Sequence, residues 1–183
     1  MKTSEICSII LKQLQGICDY VNEENIEELI ETIFSANKIF IGASGRSLLI
    51  MRSFAMRLMQ FGFDSYVAGD TICPAIRKGD LLVLGTNSGE TETLKNYVNV
   101  AKVNEAKIAV FTSNPSSSIG IQADIKIVLG KVDDKEKIQS KGSTFEQALI
   151  VLTDAVISKI YQTGKLTDKE IDEFIMERHA NLQ

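Results

Sequence analysis

The chain has 183 residues, 44% of them apolar and 24% charged, with a formal net charge of -4. That suits one domain with a sizeable core. The acidic balance does not favour a nucleic acid backbone as partner, and no apolar run approaches the ~18 residues of a membrane span. Cys7, Cys18 and Cys73 are odd in number and pair neither with one another nor with the single histidine, His179, at metal-ligand spacing. They read as reduced thiols in small apolar positions, and with no apolar leader segment before Lys12 the expected location is the cytoplasm.

From residue 3 to about 20, Ile6, Ile9, Ile10, Leu14 and Ile17 recur at helical spacing. A second helix starts at Asn22, with Glu23 and Glu24 at its positive end and Ile26, Leu29, Ile30 and Ile33 as its apolar stripe. These helices precede the first strand and offer packing or oligomer surface. Lys38-Ile39-Phe40-Ile41 is a short buried strand closed by Gly42-Ala43-Ser44-Gly45-Arg46-Ser47, and a helix over residues 47–61 follows, stopped by Gly62. Residues 65–68 form a second strand and residues 69–74 are irregular.

Residues 80–97 carry the most information. Leu81-Leu82-Val83-Leu84 reads as a strand buried on both faces, and Gly85-Thr86-Asn87-Ser88-Gly89 ends it, with Ser88 as the expected N-cap of a helix over residues 90–103. Unpaired N–H groups and the positive dipole end make a helix N-terminus an anion site. The hydroxyls of Thr86, Ser88 and Thr91 there complete a pocket for a phosphate monoester without a lysine. One such loop alone reads as a capped helix after a strand. The second loop, Ser44-Gly45-Arg46-Ser47, shifts the reading to one small phosphorylated ligand gripped from both sides. Neither loop has the nucleotide spacing G-x-G-x-x-G or G-x-x-x-x-G-K-[ST].

Residues 107–112 form a fourth strand, 113–118 a polar loop, and 123–129 a fifth strand with Asp124 at its entering edge. Strands alternating with helices predict a parallel sheet in a three-layer α-β-α sandwich of flavodoxin-like order 2-1-3-4-5. The two loops would meet at its switch point, between the first and third strands. Residues 1–183 read as one domain: N-terminal helices over 1–36, an α/β core over 37–130, a charged link without core pattern over 130–141, and C-terminal helices over 143–161 and 167–180.

Thr86-Asn87-Ser88-Gly89-Glu90-Thr91 resembles the Ser-x-Ser-Gly-x-Thr phosphosugar loop of the sugar isomerase (SIS) fold. Within that group, Gly45-Arg46-Ser47, Phe54-Ala55-Met56-Arg57-Leu58, Thr144-Phe145-Glu146-Gln147 and Arg178-His179-Ala180-Asn181-Leu182 resemble the 6-phospho-3-hexuloisomerases, in order along essentially the whole chain. Ala43, Leu48, Cys73 and Ser140-Lys141 stand where that family usually has Gly, Gly, Thr and Pro-Met. The resemblance implies isomerisation of D-arabino-3-hexulose 6-phosphate to fructose 6-phosphate in the ribulose monophosphate route, by proton transfer through an enediolate. It implies no metal, no organic cofactor, and a homotetramer with active sites shared between subunits. Two alternatives share the fold: another aldose-ketose phosphate isomerase, such as one making arabinose 5-phosphate, and a non-catalytic phosphosugar sensor that needs neither Glu146 nor His179.

By the same resemblance Glu146 is the candidate base, helped by burial beside Phe145. Ser143-Thr144-Phe145-Glu146 also reads as a capping box with Glu146 at its fourth position. His179 can pass protons between O2 and O3 or assist ring opening. It follows Ile171 and Ile175 along one helix stripe, so it reads equally as a packing or helix-dipole residue. Ser44, Gly45, Arg46, Ser47, Thr86, Asn87, Ser88, Gly89, Glu90 and Thr91 are the expected substrate-binding residues. Arg46 would face the sugar, a subunit neighbour or an exposed salt bridge. Glu90 and Glu92 suit a phosphate neighbour only if they point outward.

Overall fold

A computed structural model describes residues 1–132 and 138–181 of the chain; part of the charged link and Leu182 of the C-terminal motif lie outside the described residues. The short apolar runs form β1 (Ile39–Ala43), β2 (Ser65–Val67), β3 (Leu81–Gly85), β4 (Lys107–Thr112) and β5 (Ile125–Val128). All neighbours pair in parallel, in the order β2-β1-β3-β4-β5. The helices are α1 (Thr3–Cys18), α2 (Glu23–Ser35), α3 (Arg46–Gln60), α4 (Glu92–Val103), α5 (Ser143–Gln162) and α6 (Asp168–Arg178).

The period of two along each strand divides the core into two layers. Ile39 and Ile41 of β1, Leu81 and Val83 of β3, and Phe111 of β4 face a core shared with α2, α3 and α5. Phe40, Leu82, Leu84 and Val110 face the opposite layer, which Leu94, Val98 and Ala101 of α4 close together with Ile119. Burial on both faces explains why β3 reads as an unbroken apolar run: each of Leu81, Leu82, Val83 and Leu84 is at most 2% exposed, and each contributes about 1.5–3 kcal/mol by leaving water.

Two helices sit at the margins. In α1 only Ile17 is fully buried, while Leu11 is 67% exposed and Ile6, Ile9 and Ile10 are at most half-buried. The last helix stops at Arg178 instead of reaching residue 180, and His179 is an extended C-cap with φ -67 and ψ 135. The cause is tertiary. The Arg178 guanidinium donates to the carbonyls of Met59 at 3.0 Å and Phe63 at 3.4 Å, at the far end of α3. Phe174 lies over Gly62, where a Cβ would come within 2.7 Å of its ring.

The carboxyl end of β3 is the tightest crossing. A Cβ on Gly85 would lie 2.8 Å from Met51 Cγ of α3 and 3.1 Å from Leu149 Cδ2 of α5. Gly85→Ala is therefore expected to cost about 1–3 kcal/mol through overpacking, read as a lower urea midpoint at unchanged slope. An unchanged midpoint would show that the two helices do not close on the strand.

Candidate active site

Parallel register places Ala43 of β1 opposite Gly85 of β3, so residues 44–47 and 86–91 leave one sheet edge from strands about 4.8 Å apart. In the first turn Gly45 has φ 59 and ψ -136, a conformation that favours glycine. Ser44, Gly45 and Arg46 are exposed and Ser47 is half-buried in the first turn of α3. In the second turn Thr86 Oγ1 accepts from Gly89 N at 3.2 Å and Ser88 Oγ accepts from Glu90 N at 3.3 Å. Those bonds take the chain through one more reversal before the helix, with Gly89 at φ 69. The N-cap of α4 is consequently Thr91 and not Ser88 as the sequence suggested. The fourth strand's loop holds this shape: Asn114 Nδ2 donates to Ser88 O at 3.2 Å, Ile119 N donates to Gly89 O at 3.1 Å, and any Cβ on Gly89 would overlap the Ser117 side chain.

Helix N-termini at this edge lack the usual caps. Gly45 begins α3, Thr91 begins α4 and Gly142 begins α5, all without a side-chain capping bond. By contrast, Asn22 caps Glu24 N in α2 and Thr167 caps Glu170 N in α6. Three first turns with uncapped N–H groups therefore converge where an anion would bind.

The capping box expected at residues 143–146 does not form. Gly142 is the N-cap, with φ 92 and ψ -23, so Ser143 is already the first helical residue and Glu146 the fourth. Ser143 Oγ turns to Ser140 Oγ at 2.8 Å and accepts from Arg46 Nη1 at 3.3 Å. Glu146, freed from capping, places Oε2 3.0 Å from Arg46 Nη1, its side chain 15% exposed against 55% for the arginine. The first loop and the start of α5 are joined by this pair.

A cavity of about 430 Å³ opens beside them. One wall is Asn87 and Ser88 with Ser113 and Asn114; the other is Lys131, Val132 and residues 139–142; Ile17 and Phe145 supply apolar surface. Residues 44–47 do not line it, so the crevice lies toward β4 rather than between β1 and β3, and Arg46 reaches it through Ser143 and Ser140. The sequence reading missed Ser113, Asn114 and the link on either side of the undescribed residues 133–137. One signal was present, since every loop leaving the carboxyl edge of a parallel sheet borders its crevice.

His179 is not brought to this site within its own chain. It is exposed, with Nδ1 3.1 Å from Ala180 O. Arg178 anchors it at the opposite end of α3, a 15-residue helix about 22 Å long. Among the described residues no group of three or more His, Cys, Asp and Glu could hold a metal ion.

Glu90 is committed elsewhere. Its carboxylate accepts from Ser118 N at 2.8 Å and Ser118 Oγ at 2.7 Å and pairs with Lys95 at 2.9 Å, and neither Glu90 nor Ser118 lines the cavity. Glu92 is 87% exposed. The Ser118 amide, then the Lys95 ammonium and the Ser118 hydroxyl, pull the Glu90 carboxyl from 4.5 down to about 2. A depressed carboxyl contributes stability that is fully present above its unfolded value and lost as pH falls through the folded one. The difference in melting temperature between wild type and Glu90→Gln is thus expected to hold above pH 4.5 and to close as the pH falls towards 2. A difference that persists at the acid end would show that the ionised carboxylate does not brace the turn.

A family model described as the SIS domain matches residues 32–159. The chain is 39% identical over 189 residues, covering all of both chains, to a Bacillus subtilis (strain 168) protein named 3-hexulose-6-phosphate isomerase. A Mycobacterium gastri protein of the same name is 37% identical, with 96% of this chain and 89% of that one covered. A crystal structure from Methanococcus jannaschii, described as inferring a molecular function of 3-hexulose-6-phosphate isomerase, superimposes with a TM-score of 0.83 at 34% identity, covering 98% of this chain and 99% of that one. With the strand order, the second turn and the matched span in agreement, the chain belongs to the SIS domain family.

Proposed function

We propose that this chain interconverts D-arabino-3-hexulose 6-phosphate and fructose 6-phosphate, the reaction for which its full-length relatives are named. The observation that carries the reading is the Glu146 carboxylate, released from capping and held 3.0 Å from Arg46 beside the phosphosugar turn. The phosphate sits on the amides and hydroxyls of residues 86–91. Glu146 removes the C2 proton of the 3-ketose, the electrons move through a 2,3-enediolate, and a proton returned to C3 leaves the carbonyl at C2. Arg46 stands where negative charge develops on O2 and O3. Phosphorylated O6 cannot close a furanose on C3, so the 3-ketose arrives open-chain while the fructose form must open first.

His179 acts in this reading from a neighbouring protomer, as proton carrier between O2 and O3 or in ring opening, within a homotetramer. Its position a helix length from its own site supports this, as does the half-buried stripe of α1. The three cysteines are free, in keeping with a cytoplasmic enzyme.

An assay of the purified protein with 3-hexulose 6-phosphate, following fructose 6-phosphate, tests the reaction. Glu146→Gln is expected to lower kcat by roughly 100-fold to 10,000-fold with little change in KM; wild-type speed in that variant would remove the base. His179→Ala is expected to be slow as well. Mixing unfolded Glu146→Gln and His179→Ala chains and refolding them together should restore activity, because some sites then receive an intact residue from each protomer. Absence of recovery in verified mixed oligomers would sink the shared site.

A further inference from the structure

The two sides of the cavity differ in a way that the monophosphate reaction does not use. On the side of the phosphosugar turn the groups are neutral: Asn87, Ser88, Ser113 and Asn114. The opposite side carries two ammonium groups, Lys131 and Lys141, with Ser140 between them and the start of α5. Among the described residues no carboxylate lines the cavity, and neither lysine has an ion-pair partner. Other lysines of the chain are matched, Lys78 to Glu105, Lys95 to Glu90 and Lys165 to Glu31. In a chain of net charge -4, unopposed cations lining one side of a concave surface concentrate positive potential there.

A single phosphate seated on the turn leaves that charge unanswered. A sphere of the cavity's 430 Å³ is about 9 Å across, comparable to the span of a six-carbon sugar. We propose that Lys131 and Lys141 form a second anion subsite, and that the cavity takes hexulose bisphosphates, with the 6-phosphate on the turn and a 1-phosphate on the lysines. The inference rests on the phosphosugar reading of the turn. Its consequence is control of the enzyme by the product of a phosphoryl transfer to O1 of fructose 6-phosphate, bound in competition with the substrate.

Calorimetric titration of the full chain with fructose 6-phosphate and with fructose 1,6-bisphosphate gives the test. Wild type is expected to bind the bisphosphate about tenfold more tightly, the gain of one further charge-assisted contact. In Lys131→Gln/Lys141→Gln the ratio of the two dissociation constants is expected to fall to about one, and Lys131→Arg/Lys141→Arg should restore it. Equal affinities in wild type overturn the second subsite and leave the phosphosugar reading standing. A ratio unchanged in the double glutamine variant also overturns it, since both ligands would then weaken together and the lysines would serve the shared phosphate. If neither sugar binds, the phosphosugar reading falls and this inference with it.

Discussion

Three helices begin at one edge of the sheet without side-chain caps, and the candidate site is what those unsatisfied first turns surround. Each is brought there differently. β1 and β3 are adjacent parallel strands, so α3 and α4 start side by side. α5 arrives from a distant part of the chain and is fixed by packing against α3, with Gly85 removing the one Cβ that would hold them apart. The N–H groups that would normally turn to a Ser, Asp or Asn side chain are left for a ligand, while α2 and α6, away from this edge, are capped in the usual way.

The Arg46 and Glu146 pair is the chemical counterpart of that convergence. Isolated surface ion pairs contribute little to stability, and with the arginine side chain 55% exposed this one has no strong structural purpose. Its value is positional: a carboxylate on α5 and a guanidinium on α3 are held across the junction of the two helices. Around the phosphosugar turn the opposite principle holds. Glu90 is drawn by Ser118 and Lys95 away from the cavity, which removes a negative charge from the place where a phosphate would sit.

His179 and α1 share one explanation at the level of assembly. A histidine fixed at the far end of α3, and a helix with its apolar stripe half covered, are both incomplete within one protomer. Oligomer formation would give each of them a partner, which is why the quaternary structure enters the proposed mechanism as well as the proposed stability.

The alternation of apolar strands with amphipathic helices was enough to determine the parallel sheet, its order and its two buried faces, because burial on both sides writes itself as unbroken runs such as residues 81–84. The glycine- and hydroxyl-rich turns after β1 and β3 were legible for a similar reason, being local chemistry in consecutive residues. Cap assignments were not. Ser88 and Ser143 are both good N-cap residue types, yet Gly89 and Gly142, at positive φ, shift the helix frames by several residues and by one. Nor did spacing show that Glu146 would meet Arg46, that Lys131 and Lys141 would line the cavity, or that His179 would leave its helix stripe. These depend on how α5 and α6 pack against α3, through contacts between residues about 100 apart in sequence that no local pattern encodes.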